Sequence, residues 1–110
     1  MESILTNLLD NSLIWFEGRQ ERQRRIVIRT SISGESLCLR FLDNGPGIEG
    51  IRVADIWLPG QTTRPNGTGL GLTIVRDAVS DLGGKVSALD HGELGGAEFI
   101  VELPLIRRGG

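Results

Sequence analysis

Gly67-Thr68-Gly69-Leu70-Gly71-Leu72 is the stretch of this sequence on which the fold turns. Its alternating glycines run straight into residues with apolar side chains at helical spacing, Leu72, Val75, Ala78, Val79 and Leu82,. Glycine lets backbone N–H groups approach a ligand closely, and a helix N-terminus favours negative charge. The segment is therefore a phosphate site in outline. A plain glycine-rich turn before a helix has the same pattern, and the segment alone does not separate the two. It is not the dinucleotide fingerprint, because the spacing is G-x-G-x-G and no strand directly precedes it. Nor does the chain carry a Walker A loop: Gly84-Lys85 is followed by Val86, where Ser or Thr would hold magnesium,.

Working outward, the helix is expected from about Gly69 to Leu82, with Gly83-Gly84 as its stop. Before the glycines, Leu58 to Asn66 contains two prolines and Gly60, so it reads as a loop,. A short helix is expected from Glu49 to Trp57. Further upstream, Ile26, Ile28, Thr30 and Ile32 alternate with Val27, Arg29, Ser31 and Ser33, and Leu37, Leu39 and Phe41 alternate after the turn Ser33-Gly34-Glu35,. This is a hairpin that breaks at Asp43-Asn44-Gly45-Pro46-Gly47. The first segment, Glu2 to about Phe16, reads as a helix with Ile4, Leu5, Leu8, Leu9, Ser12 and Leu13 on a broad, mostly apolar arc,. The polar stretch Glu17 to Arg25 reads as a loop, and its basic residues Arg19, Arg22, Arg24 and Arg25 as a solvated run. Downstream, Val86 and Ala88, then Phe99, Val101 and Leu103, mark two strands joined through the glycine-rich turn Gly92 to Gly96, with Pro104 ending the second. The order helix, hairpin, short helix, loop, helix, hairpin predicts an α+β two-layer sandwich.

Bulk properties fit one such domain. The chain has 110 residues, 39% hydrophobic and 24% charged, a size and balance suited to a single soluble core,. A formal net charge of -2 gives no electrostatic support to nucleic-acid binding,. No apolar run approaches the roughly 20 residues of a membrane-spanning helix, and Met1 to Leu5 does not open a secretory signal. One cysteine, Cys38, cannot make an internal disulfide, which fits a reducing compartment,. The expectation is a cytoplasmic domain without membrane contact of its own.

Two further segments carry chemistry. Asp43 stands at a strand end beside a glycine turn, where a carboxylate can accept a hydrogen bond from an exocyclic amine. Adenine offers that donor, whereas guanine presents a carbonyl that a carboxylate would repel. The alternative is an Asx turn in which Asp43 caps its own loop. In the first helix, Asn7 and Asn11 are four residues apart and share a face,. Amide oxygens suit magnesium, which usually keeps waters and substrate phosphates as its other ligands. A solvated polar face is the other reading.

Together, and in this order, the three segments resemble the N box (Asn7, Asn11), G1 box (Asp43, Gly45, Gly47) and G2 box (Gly67 to Leu72) of the GHKL ATPase superfamily. That superfamily includes sensor histidine kinases, gyrase B, MutL and related chaperones. The resemblance covers nearly the whole chain, taken as a single histidine-kinase-like ATP-binding catalytic domain over residues 1–110. Ile56-Trp57-Leu58-Pro59-Gly60-Gln61-Thr62-Thr63-Arg64 is similar to a histidine-kinase F box, and Leu82-Gly83-Gly84-Lys85-Val86, Gly95-Gly96-Ala97-Glu98-Phe99 and Leu103-Pro104 also match the kinase branch.

The resemblance implies a Bergerat-type sandwich whose mixed, mostly antiparallel sheet is covered on one face by helices. It implies ATP and Mg2+ as ligands, with Asn11 on the metal. Nucleotide contacts are implied at Asn7, Asn11, Trp15, Asp43, Gly45, Gly47, Ile48, Thr63, Arg64, Gly67, Thr68, Gly69, Leu70, Gly71 and Leu72. Hydrolysing members carry a glutamate general base four residues before the magnesium asparagine; here Asn7 stands there and cannot take a proton. The implied reaction is γ-phosphate transfer to a histidine on a separate dimerisation domain, with a response regulator as indirect partner. The only histidine, His91, sits in the final turn and reads as a surface loop residue, so the acceptor domain and the family's upstream strand are expected to lie outside this chain. A regulatory nucleotide-binding module and a GHKL hydrolase are the alternatives. Ile14 stands where the family has Lys or Arg, and Trp57 and Gly60 replace the F-box phenylalanines; Arg64 can supply the missing positive charge.

Overall fold

A computed structural model of the chain describes residues 4–10, 25–45, 47–48, 51–58 and 71–105. Residues 4–10 are helical and are called α1. Strands β1 (Ile26–Ser33) and β2 (Ser36–Asp43) follow, then a single 3-10 turn at Val53–Asp55, helix α2 (Gly71–Asp81), and strands β3 (Lys85–Leu89) and β4 (Glu98–Pro104). The sheet order is β1-β2-β4-β3, and each neighbouring pair is antiparallel.

The expected hairpins form because their turns suit their twist. Ser33 pairs with Ser36 across the two-residue loop Gly34–Glu35, and Gly34 has φ 60°. Positive φ at the first loop residue is the glycine position of a type II′ turn. At the end of α2 the Gly83 N–H donates to Ser80 O and the Gly84 N–H to Val79 O, both at 2.9 Å. Gly83 has φ 79°, so this is a Schellman stop at the predicted glycine pair.

One face of the sheet carries the main core. Leu37, Leu39 and Phe41 of β2 stand opposite Leu103, Val101 and Phe99 of β4, while Val86 and Ala88 of β3 stand opposite Val101 and Phe99. Ile4 and Leu8 of α1 and Val75 and Val79 of α2 close the same cluster. Complete burial of a Leu, Ile, Val or Phe contributes about 1.5–3 kcal/mol. The arc predicted for the first helix is seen at Ile4 and Leu8, whereas Leu9 stays exposed. Period-two alternation in β1 gives less burial than it does in β2: Ile28 and Ile32 are 51% and 68% exposed. They lie on the edge strand, and α2 packs against β3 and β4 at the other side.

The short helix expected over Glu49–Trp57 is reduced, among the described residues, to the turn Val53–Asp55. Arg52 at its start is extended and makes no side-chain cap; its guanidinium instead pairs with Asp55 three residues on. Without a cap the first N–H groups of a longer helix would have had no partner. Trp57 then turns into the core, its ring edge-on to Phe99 with centroids 6.0 Å apart.

The opposite face carries charge. Glu98, 1% exposed, pairs through Oε2 with Arg40 and accepts the Glu93 N–H at Oε1, 3.0 Å. Glu93 in turn pairs with Arg29. Burial pushes the Glu98 carboxyl up, but the Glu93 N–H, the bound Arg40 and the nearby charge of Arg29 outweigh it and hold the group below its ordinary value. Leu42, fully buried and one residue from Phe41, shares this face, paired with Glu98 across the strands.

Candidate nucleotide site

The ends of β2 and β4 come together at Asp43. Its N–H donates to Ala97 O and its carbonyl accepts the Gly96 N–H, both at 3.1 Å. The side chain is buried, 3% exposed. Oδ1 accepts the Gly45 N–H and the Ala97 N–H, both at 3.0 Å. The first bond is the local Asx-type cap weighed from sequence. The second comes from a residue 54 positions away, so the carboxylate is fixed by the sheet as well as by its own turn. Buried polar atoms are almost always bonded in this way, because an unmet one is costly.

The rest of the G1 segment is held from outside. Asn44 Oδ1 accepts the Arg25 N–H at 2.8 Å, and the Asn44 N–H donates to Arg25 O at 3.2 Å, which ties the segment to the start of β1. Gly47 has φ 84°, and a Cβ there would collide with Asp90 O and stand 3.0 Å from His91 Nε2. Glycine is needed at 47 for both reasons. Ile48 donates its N–H to Asp90 O at 3.1 Å, and its side chain is buried in the main cluster. His91 is an exposed turn residue beside Asp90, as expected for a loop histidine.

At the other end, α1 and the start of α2 meet. A Cβ at Gly71 would stand 3.4 Å from Asn7 Oδ1, so the first asparagine of the N-box helix and the last glycine of the G2 segment are neighbours. Leu72 is half-buried against the core. The Thr73 hydroxyl donates to Trp57 O at 2.8 Å, which joins the two ends of the intervening segment. Among the predicted site residues, Asn11, Trp15, Thr63, Arg64, Gly67, Thr68, Gly69 and Leu70 lie outside the described residues, as does Ile14. The structure thus brings together Asp43, Gly45, Gly47 and Ile48 in one place, and Asn7 with Gly71 in another.

Sequence reading missed Gly96 and Ala97 as parts of this site. Gly95-Gly96 reads as a turn, and nothing local shows that the following N–H would point at Asp43. The match of Gly95 to Phe99 to the kinase branch marked the segment without giving it a role; that role follows from the pairing of β2 with β4, which has to be known first. Among the described residues no three of His, Cys, Asp and Glu come together to hold a metal ion, and no helix is long and apolar enough to cross a membrane.

An α+β sandwich with these segments at its strand and helix ends matches a known family. Residues 1–107 match the model of the histidine kinase-, DNA gyrase B- and HSP90-like ATPases, and the chain belongs to that family. Within it, the similarity is to the ATP-binding catalytic domain of two-component sensor histidine kinases. The two-component sensor PprA of Pseudomonas aeruginosa is 36% identical over 110 residues, which covers 96% of this chain and 12% of that protein. The chain therefore spans a small part of such a relative. Among solved structures, the mycobacterial sensor histidine kinase MprB superposes with a TM-score of 0.76 at 26% identity, covering 93% of this chain and 68% of that one. Full-length ShkA, solved in complex with AMPPNP, superposes with a TM-score of 0.74 at 30% identity, over 98% of this chain and 22% of the other.

Proposed function

We propose that this chain binds Mg-ATP between the Asp43 end and the Asn7–Gly71 end of the site and presents the γ-phosphate to a histidine on a separate helical dimerisation domain. The observation that carries the reading is Asp43, a buried carboxylate at a strand end with its orientation set by the Gly45 and Ala97 N–H groups. Such a group suits the exocyclic amine of adenine and repels the guanine carbonyl. Asn7 beside Gly71 supports the phosphate end at the start of α2, where N–H groups and the helix dipole favour anions. The predicted contacts at Asn11, Trp15, Thr63, Arg64 and Gly67 to Leu70 complete the proposal.

Magnesium, held by the Asn11 amide and the nucleotide's own phosphates, would supply charge neutralisation at the triphosphate. Asn7 cannot act as a general base toward water, and such a base is worth about 10²–10⁴-fold in rate. Transfer then favours a positioned imidazole: the bond from the γ-phosphorus to the bridging oxygen breaks, a phosphorus–nitrogen bond forms, and ADP leaves. The phosphohistidine would pass its phosphoryl group to a response regulator. The likeness to the two-component sensor PprA supports this direction of transfer.

Calorimetric titration with Mg-ATP tests the site, with Asp43→Asn expected to lose binding; unchanged binding would sink it. Phosphotransfer is tested by adding the histidine-bearing helical domain of the parent protein and labelled ATP. Label should appear on that domain. Steady ATP turnover by this chain alone, abolished by an Asn7 substitution, would instead make it a hydrolase.

A further inference from the structure

The backbone of Gly96 lies close against the proposed adenine anchor, Asp43. A Cβ built there would collide with Asp43 Oδ1 and would stand 2.6 Å from both Asp43 O and the Gly45 N. Two of these three atoms are backbone and cannot step aside alone. The backbone of Gly96 does not itself demand glycine, because its φ is not among the positive values, which among the described residues occur at Gly34, Gly47, Gly83 and Gly95. Space alone excludes a side chain. The same residue donates its N–H to Asp43 O, and the next one, Ala97, donates to Oδ1 and is 1% exposed.

We infer that the Gly96–Ala97 backbone is a positioning element for Asp43, and so sets the preference of this site for a purine bearing a 6-amino group. The inference deepens the proposed function and rests on Asp43 facing the base. Backbone donors on two sides of Oδ1, Gly45 from the same turn and Ala97 from β4, leave the carboxylate one orientation. A methyl at 96 displaces Oδ1 and the turn that carries it. The expected loss is in recognition of the amine, with the phosphate end around Asn7 and Gly71 untouched.

The test compares ATP with purine riboside triphosphate, which differs only in lacking the 6-amino group. With wild-type chain and magnesium, ATP is expected to bind about ten- to a hundredfold more tightly, the worth of a hydrogen bond to a charged group. In Gly96→Ala that ratio should fall to near one. A change that merely loosened the fold would weaken both nucleotides alike and leave the ratio standing, which would overturn the inference. Should Gly96→Ala melt below the assay temperature, replacing Ala97 by lactic acid through peptide ligation removes only the N–H that faces Oδ1. That ester should lower the ratio as well, and a retained wild-type ratio in it would overturn the inference. Asp43→Asn separates this from the parent reading. If Asp43→Asn abolishes the ratio while Gly96→Ala keeps it, Asp43 is the anchor and Gly96 is not its positioner. If wild-type chain shows no preference between the two nucleotides, the reading of Asp43 itself fails.

Discussion

The two ends of the proposed site are built on different principles. At the Asp43 end, main-chain groups on the sheet supply much of the restraint: N–H groups of Gly45 and Ala97 on Oδ1, and paired backbone bonds to Gly96 and Ala97. At the other end, Asn7 and Gly71 meet because two helices pack on the same apolar face. The first is stiff because sheet hydrogen bonds define it; the second depends on side-chain packing. A mutation at the base end should therefore act locally. At the phosphate end, a disturbance in the core beneath would be transmitted to the ligand groups.

The largest expected effect breaks both ends together. Phe99→Ala removes a fully buried ring that Trp57 and the helices pack on, and such truncations cost about 3–5 kcal/mol. Chemical denaturation should show a midpoint lowered accordingly, with ATP binding lost in parallel with folded protein. Asp43→Asn should separate the two ends: it should lower ATP affinity by about tenfold or more, with a melting profile close to wild type and weak tripolyphosphate binding retained. Asn7→Ala is its complement, with a loss of about two- to tenfold for ATP and no change in preference for the 6-amino group. A shift in that preference would show that the ends are not independent.

Glu98 tests whether the charged face matters to the base end. Its folded-state carboxyl sits below the ordinary value of 4.5, so it contributes stability that is present above that pH and lost as pH falls through the folded value. Glu98→Gln should melt lower than wild type at neutral pH, with the two curves converging below about 4.5,. A constant gap across that range would mean the carboxylate charge is not what stabilises the turn. Gly71→Ala should do least. Among the described residues the added methyl meets Asn7 Oδ1 alone, at 3.4 Å, and alanine in place of helical glycine is worth up to about 1 kcal/mol in favour of folding. The same substitution at Gly96 should be far more damaging to the site.

How much was legible follows the same division. The hairpins, the glycine stop of α2 and the core faces of β2 and β4 were readable because period, turn chemistry and burial agree there. β1 has the same alternation, yet Ile28 and Ile32 are exposed although they stand opposite core residues Phe41 and Leu37, because alternation reports a face and not how far toward the sheet edge that face is covered. The helix expected over Glu49–Trp57 was over-extended: an uncapped start at Arg52 supports only one turn. In the site, Asp43 and Asn7 were found as local motifs. Gly96 and Ala97 were not, since their importance arises from a β2–β4 pairing that joins positions more than fifty residues apart.

Gly47 also shapes how this molecule can be observed. Because its lack of a side chain lets Asp90 O reach the Ile48 N–H, that one amide proton is tied to the link between β3 and β4 as well as to the G1 turn. Its hydrogen-exchange rate should report opening of either segment. Ile48 is thus a single spectroscopic probe in which loosening at the far hairpin and nucleotide-induced tightening would both register, with opposite sign.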